Sequence, residues 1–289
     1  MVVYNFGLPH LKSKAMLSDD KIIALYCIVD DMLKGMRHYE DPKVQVSDAE
    51  VITTAFVATL YFGGHIDYAR QFMQLKGYIP KMLSKSRYCR RLHRLADFLL
   101  TMFYELGKYL KDMAGASEYQ LDSFPVAVCD NIRISRSKVL KGELYRGKHA
   151  AMRRYFYGVR VQVMSLNGIP VEFCIVPGSE HDSQTLGKLP FDVAPESCIY
   201  MDAGYTDYQA EDDLFEAELI HAKVQRKKNS KRADEPYARF LKDYMRKHIE
   251  TDFSMIKAKM LRSIHAVTQQ GFLIKVALFV IAYTFYSIT

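Results

Sequence analysis

The chain has 289 residues, of which 49% are hydrophobic and 25% charged, a composition that excludes disordered and fibrous classes. Lys and Arg (40) outnumber Asp and Glu (33), and the net charge of +7 favours a polyanionic partner such as a nucleic acid. Five scattered cysteines without a C-x-x-C pair predict neither a disulfide framework nor a zinc site. The first 16 residues lack the apolar run of a signal peptide, so we expect a cytoplasmic protein.

The first third of the chain reads as helical. Two helices are expected to begin at Ser18 and Ser47, because serine caps a helix N-terminus, and each candidate segment ends in glycine. A third helix is predicted from Leu83 to Leu110, with leucines at helical spacing. The arginines on another face of this helix are Arg87, Arg91 and Arg94. A solvated basic face and a DNA-contacting face are both consistent with them.

From about residue 117 the pattern changes to strands. The segment "VRVQVMSLNGIPVEFCIV" predicts a hairpin with Asn167 and Gly168 at its turn. Further on, "SCIYMDAGYTDYQAEDDLF" predicts a strand ending at Asp202, a glycine turn and a helix capped by Thr206 with Gln209. "AELIHAKV" is a further strand. A long helix follows over 235–261, with an apolar stripe at Phe240, Tyr244, Ile249, Phe253, Ile256 and Met260.

The most apolar segment is "FLIKVALFVIAYTFYSIT", near the end of the chain. Lys275 interrupts it, and the run is shorter than the roughly 20 residues that span a bilayer. A buried terminal helix is therefore expected, and no membrane partner.

Several carboxylates are candidates for chemistry. Asp122 and Asp130 lie in the strand-like run "YQLDSFPVAVCDNIRI", and nothing within that run chooses between them. Pro125 lies between them and predicts a bulge or a strand end nearby. Asp202 ends a strand, where ligands gather in open α/β sheets, although a turn or cap role is the commoner one. Arg246, Glu250 and Lys257 project from one side of the long helix, which also fits an exposed charged face.

Two loops carry further candidates. The tract "QRKKNSKR" is a loop that could clamp a phosphate backbone or be merely solvated. Its cations are Arg226, Lys227, Lys228, Lys231 and Arg232. In "PGSEHDSQTL", His181 and Asp182 could be metal ligands, but a helix cap at Ser179 or Asp182 is favoured.

Five blocks in the same order resemble the DDE transposases of bacterial insertion sequences, in the branch numbered 982. They are "LDSFPVAVCDNIRI", "YFYGVRVQV", "VEFCIVPGSEHDSQTL", "YMDAGYTDYQAEDDL" and "RKHIETDFSMIKAKMLRSIHAVTQQGFLIKVALFVIAY". The resemblance covers most of the chain from about Ser84 onward.

The resemblance implies an α/β fold, with an RNase H-like mixed sheet flanked by helices over 113–289. A helical region over 1–112 would precede it and bind the DNA end. The implied catalytic and metal-holding residues are Asp122, Asp202 and Glu250, with two Mg²⁺ ions for which Mn²⁺ substitutes. The family's Tyr-x2-Arg-x3-Glu-x6-Lys pattern keeps Arg246, Glu250 and Lys257, but Asp243 stands at the tyrosine position. Tyr244 is displaced by one residue, toward the apolar side.

The implied function is Mg²⁺-dependent strand cleavage at element ends and strand transfer into target DNA, in the nucleoid of a bacterial cytoplasm. The partners would be double-stranded terminal inverted repeats and target DNA, and handling two ends fits a homodimer. DNA contacts are expected from Arg246, Lys257, the basic tract and the three arginines Arg87, Arg91 and Arg94. Two alternatives are a DNA-binding protein that has lost the chemistry and a carboxylate-pair hydrolase of a neutral substrate such as a glycoside. The basic tract and net charge disfavour the second.

Overall fold

The computed structural model describes residues 18–129, 134, 137–149, 154–259, 264 and 266–289. Within the helix at 236–259 it describes the backbone alone for 246, 248–253 and 255–259.

In the described residues from 18 onward, five helices precede the first strand. They are α1 Asp19–Gly35, α2 Asp48–Tyr61, α3 Ile66–Leu75, α4 Lys85–Arg94 and α5 Ala96–Ala114. The predicted starts of the first two are confirmed. The Ser18 side chain accepts a hydrogen bond from the Lys21 N–H, and Ser47 forms a capping box with Glu50. The helix α3 was not predicted, although Ile66, Ala69 and Met73 recur at helical spacing and the last two are buried.

The single helix predicted over 83–110 is wrong, because the chain turns at Leu95 between α4 and α5. Leu95 is only 4% exposed, and its N–H still bonds to the carbonyls of Arg91 and Leu92. The turn lets Leu92, Leu95 and Leu99 enter one hydrophobic core from two helix directions. Leucine spacing alone cannot distinguish this break from a continuous helix.

The described strands form one mixed sheet. They are β1 Glu118–Cys129, β2 Arg146–His149, β3 Arg154–Leu166, β4 Ile169–Pro177, β5 Cys198–Met201 and β6 His221–Val224. β3 pairs antiparallel with β1, β2 and β4, whereas β1, β5 and β6 pair parallel. The order β4-β3-β1-β5-β6, with three antiparallel strands followed by parallel ones, is that of an RNase H-like sheet. The predicted fold class is confirmed.

The predicted hairpin joins β3 to β4. Leu166 pairs with Ile169, and both turn residues have positive φ, 51° at Asn167 and 79° at Gly168. Positive φ at both central positions defines a type I′ turn, whose twist matches that of the flanking strands. The prediction from the Asn-Gly pair is therefore confirmed.

Three more helices complete the described fold: α6 Tyr208–Glu218, α7 Pro236–Lys259 and α8 Gln269–Ser287. α5 and α8 pack on β4, α8 also packs on α2, and α7 packs on β1 and β5. In the described part of the chain, α8 alone is long and apolar enough to cross a membrane, and 61% of that stretch is buried inside the protein. That burial is what a core helix requires.

Two local predictions about α6 and α7 are wrong. The N-cap of α6 is Asp207, whose side chain accepts from the N–H groups of Gln209 and Ala210, rather than Thr206. In α7 the predicted apolar stripe begins on the solvent side, since Phe240 is 67% and Tyr244 53% exposed. The side chains of the other stripe residues, Ile249 to Met260, lie outside the described set.

Candidate active site

Asp122 and Asp202 lie side by side at the point where the parallel pairing of β1 with β5 ends. β1 and β5 pair in register from Glu118 with Cys198 to Leu121 with Met201, so the next residues on the two strands are these aspartates. Neighbouring strands are about 4.8 Å apart, which brings the two carboxylates within reach of one ligand. Ligands bind at this edge in open α/β sheets.

The helix α7 packs on β1 and β5, the strands that lead to the two aspartates. Asp122 shares a face of β1 with Phe124, and Phe124 and Tyr200 belong to the core cluster against which Met245 of α7 packs. Lys242 of the same helix donates a hydrogen bond from Nζ to the carbonyl of Val224, at the end of β6, at 2.8 Å. The backbone of residue 250 belongs to this helix, which passes over the strands that carry the aspartates.

Backbone amides orient the two carboxylates. The Ser123 N–H donates to Asp122 Oδ1 at 2.7 Å, and the Gly204 N–H donates to Asp202 Oδ1 at 2.7 Å. Adjacent carboxylate oxygens repel one another unless a cation lies between them, and Mg²⁺ and Mn²⁺ prefer such hard ligands. The carboxylates of Asp122 and Asp202 are therefore suitable ligands for a divalent metal ion. Among the described side chains no group of three metal-ligating residues is present, and Glu250 is not among those side chains.

Asp182 belongs to this region, contrary to the expectation that it or Ser179 caps a helix. The N-cap of the 3₁₀ helix Asp182–Lys188 is His181, whose N–H donates to Gln184 Oε1 at 3.3 Å. The side chain of Asp182 turns toward the sheet instead. The only sequence signal for it was the His-Asp pair in "PGSEHDSQTL".

One oxygen of Asp182 accepts hydrogen bonds from two strands. Ser123 Oγ of β1 donates to Asp182 Oδ1 at 2.7 Å, and Gln162 Nε2 of β3 donates to it at 3.1 Å. Arg160 Nη1 lies 3.4 Å from the same oxygen and 3.3 Å from Ser123 Oγ. Asp182 is therefore partly buried with its charge balanced by a guanidinium.

Tyr205 is joined to Asp182 through the side chain of Gln162. It is 1% exposed, and its hydroxyl donates to Gln162 Oε1. Desolvation raises the pKa of Tyr205 well above its usual range, and the charges of Asp182, Asp122 and Asp202 raise it further. The phenol thus stays protonated and acts as a fixed hydrogen-bond donor.

β1 runs through Pro125 without ending there. Pairing with β5 stops at Leu121, so β1 has one unpaired edge at the proline, where a missing N–H is tolerated. A register shift between Ala127 and Cys129 supplies the bulge expected nearby. Asp130, the alternative to Asp122, lies outside the described residues.

The basic tract is divided between structural and exposed cations. Arg226 forms a two-pronged pair with Glu211, and Arg232 forms another with Asp212 at 2.7 Å. Both guanidiniums lie against the ring of Tyr208, at 5.1 Å and 4.8 Å from its centre. These two arginines therefore fasten the loop to α6. Arg232 remains 47% exposed in its pair, and Lys227, Lys228 and Lys231 are exposed as well.

The three candidate arginines of α4 also differ in their surroundings. Arg87 and Arg94 are exposed. Arg91 instead donates to Asp48 Oδ1 at 2.6 Å, to Glu40 and to the Val46 carbonyl. Its side chain is 14% exposed, so it fastens the α1–α2 connection to α4.

The remaining predicted residues lie on α7. The side chains of Arg246, Glu250 and Lys257 are outside the described set. Asp243, at the family's tyrosine position, accepts a hydrogen bond from Gln225 Nε2 at 2.7 Å. Tyr244 is half exposed rather than turned into the apolar interior.

Comparison with known proteins gives a family. No curated protein matches the chain significantly. A cryo-EM structure of a piggyBac transposase synaptic complex with hairpin DNA is similar at 10% identity and a TM-score of 0.32. The match covers 75% of this chain and 50% of that one, so the chain spans half the length of that protein. The family model described as a transposase DDE domain matches residues 115–267, more than half of the chain. The chain therefore belongs to the family of DDE transposase domains.

Proposed function

We propose that the protein cleaves DNA strands at the ends of its own mobile element and joins those ends to target DNA. Asp122, Asp202 and Glu250 would hold two Mg²⁺ ions. The observation that carries this is the register of β1 with β5, which sets two aspartates abreast on the two strands against which the helix of Glu250 packs. The insertion-sequence-982 branch, a DNA-end-binding role for 1–112 and a homodimer are part of the same proposal.

The chain's own residues have distinct tasks in this reaction. DDE transposase domains generally use divalent metals. When bound, two such ions activate a water or 3′-hydroxyl and stabilise charge on the leaving oxygen. The Ser123 and Gly204 amides hold the carboxylates in place, so that little reorganisation is needed. The exposed lysines 227, 228 and 231 would contact DNA phosphates and set the register of the duplex.

A catalytically inactive DNA-binding protein on the same fold is the alternative. The exposed lysines of the basic tract support it equally, since they would bind a phosphate backbone whether or not the carboxylates hold metal. The two functions differ in whether DNA is cut after it is bound.

A nicking assay tests the proposal. Full-length protein is incubated with a labelled duplex carrying the element's terminal inverted repeat, in Mg²⁺ or in EDTA. We expect a 3′-hydroxyl nick in Mg²⁺ and an intact, bound duplex in EDTA. Binding without a nick in either Mg²⁺ or Mn²⁺ would leave only the DNA-binding alternative.

The α4 surface gives a second prediction. Replacing both Arg87 and Arg94 with alanine should weaken end binding and lower the slope of log K against log salt by about 0.9 for each DNA phosphate that is no longer neutralised. Because both side chains are exposed, thermal stability should stay unchanged. Fluorescence anisotropy across a salt series measures the slope.

Arg91→Ala is the matched comparison on the same helix. It removes bonds to Asp48, Glu40 and Val46, so it should lower the free energy of unfolding. An unchanged salt slope in the Arg87 and Arg94 variant would place the DNA surface elsewhere.

A further inference from the structure

Both segments that carry the aspartates of the site are fastened to one side-chain network. Ser123 follows Asp122 directly, and its hydroxyl donates to Asp182 Oδ1 at 2.7 Å. Tyr205 follows Asp202 by three residues, and its hydroxyl donates to Gln162. Gln162 in turn donates to Asp182 Oδ1 at 3.1 Å. Asp182 is therefore the acceptor on which both segments converge.

The second oxygen of Asp182 faces the turn that follows β5. A Cβ placed on Gly204 would lie 2.8 Å from Asp202 Oδ1 and 3.1 Å from Asp182 Oδ2. The two carboxylates thus approach the same point beside the glycine. A larger residue at this position would push one of them away.

The charge of Asp182 is already balanced within the protein. Arg160 Nη1 lies 3.4 Å from Oδ1, and Arg160 Nη2 donates to the Lys148 carbonyl at 3.3 Å. The side chains of Asp182 and Arg160 are 19% and 15% exposed. One oxygen of this partly buried carboxylate accepts from Ser123, Gln162 and Arg160. Such a carboxylate orients the neighbouring side chains rather than serving as an open ligand.

We propose that Asp182 is a positioning residue, which fixes Asp122 and Asp202 for a divalent cation through Ser123, Gln162 and Tyr205. This inference rests on the proposed function and deepens it. Partners that orient ligating carboxylates typically change metal affinity by about 10- to 100-fold when they are removed. Asp182→Ala therefore raises the Mn²⁺ concentration needed for half-maximal binding by that factor.

The test measures metal binding without DNA. Thermal unfolding of the full chain is followed across a Mn²⁺ titration, since an ion that binds the folded state raises the melting temperature. Asp182→Ala should shift the midpoint of the titration upward by about 10- to 100-fold. DNA affinity in EDTA should not fall below that of wild type, because the change removes a carboxylate and no cation that contacts DNA. Melting in EDTA checks that each variant is folded.

Two neutral variants separate positioning from charge. Ser123→Ala and Tyr205→Phe each remove a hydroxyl and leave every charge near the site in place. Both should move the midpoint in the same direction as Asp182→Ala. The double variant Asp182→Ala with Ser123→Ala should have the same Mn²⁺ midpoint as Asp182→Ala alone, because both changes break the same hydrogen bond.

Glu180→Ala is the matched control. Glu180 lies two residues before Asp182, its side chain is 22% exposed, and it pairs with Lys188. It should leave the Mn²⁺ midpoint at the wild-type value.

The outcomes are distinguishable. A wild type without any Mn²⁺ response would overturn the proposed function, and this inference with it. A wild-type response that Asp182→Ala leaves unchanged would overturn this inference alone. So would a shift in Asp182→Ala that neither Ser123→Ala nor Tyr205→Phe shares, since the charge rather than the network would then be responsible.

Discussion

Replacing any one of Asp122, Asp202 and Glu250 with its amide is expected to lower the rate of Mg²⁺-dependent strand cleavage by about 10³-fold or more. A metal ion that stabilises transition-state charge contributes several kcal/mol, and each 1.36 kcal/mol is worth a factor of ten in rate. An amide keeps the shape and one acceptor oxygen of the carboxylate but loses the charge that holds the ion. In Asp122→Asn that oxygen can still accept from the Ser123 N–H.

The amide variants should remain folded. Without metal, clustered carboxylates repel one another, so removing one charge should leave the melting temperature in EDTA unchanged or slightly higher. The stabilisation that Mn²⁺ gives to the wild type should shrink in each variant. This separates a damaged metal site from a damaged fold.

The measurement is single-turnover nicking of a terminal-repeat duplex, with Asp130→Asn as the control. Asp130 lies in the same segment as Asp122, and the control variant should cleave at close to the wild-type rate. If Asp130→Asn abolishes cleavage while Asp122→Asn spares it, the assignment of the first carboxylate is reversed. If Glu250→Gln cleaves like wild type, the third ligand is a different residue.

Local signals predicted the local structure. Ser18 and Ser47 cap helices, and the turn at Asn167 and Gly168 closes a hairpin, because each depends on residues within a few positions of one another. The position of Asp202 at a strand end was likewise readable from a short apolar run. Its pairing with Asp122 was implied by the family resemblance, because no local rule sets the register between strands about 80 residues apart.

Long-range partners could not be read from the sequence. Arg91, Arg226 and Arg232 look like DNA-contacting cations, yet each forms ion pairs with carboxylates on another element. Asp182 resembled a helix cap because its partners, Ser123 and Gln162, lie on strands 59 and 20 residues away. A charged side chain shows its sign in the sequence, but its partner is set only by packing.

Among the ion pairs between described side chains, Lys111 and Glu172 form the most deeply buried one, so its disruption should cost the most stability. Lys111 of α5 donates to Glu172 Oε1 of β4 at 2.5 Å, and Glu172 is fully buried. The N–H groups of Phe191 and Asp192 also donate to Glu172, at 3.1 Å and 3.2 Å. The pair therefore joins a helix, a strand and the loop after the 3₁₀ helix.

Lys111→Met should lower the free energy of unfolding by about 3–5 kcal/mol at pH 7, because it leaves an uncompensated carboxylate in the core. Lys108→Met is the matched control, since Lys108 lies on the same helix and is exposed. It should change stability by less than about 0.5 kcal/mol. Urea unfolding followed by circular dichroism measures both.

The loss of stability in Lys111→Met should depend on pH. Burial raises the pKa of Glu172, and Lys111 opposes that rise, so the pKa rises further in the variant. Below its unfolded pKa of about 4.3, such a carboxyl group is protonated in both states and costs the folded state nothing. As the pH rises from the unfolded to the folded pKa, the unfolded chain loses its proton first, and the folded state is progressively destabilised. The deficit relative to wild type should therefore be largest near neutral pH and shrink on acidification toward pH ~5.

A neutral pair tests the cause of the destabilisation. In Lys111→Met with Glu172→Gln, no charge is buried, and the glutamine oxygen can still accept from one backbone N–H of the 191–192 loop. Neutral replacements of buried ion pairs are often tolerated, so the double variant should recover much of the stability that Lys111→Met loses. Its stability should also lack the pH dependence expected of the single variant, because the titrating carboxyl group is gone. A double variant as unstable as Lys111→Met at every pH would mean that poorer packing around the lysine stem, rather than an unpaired charge, destabilises the fold.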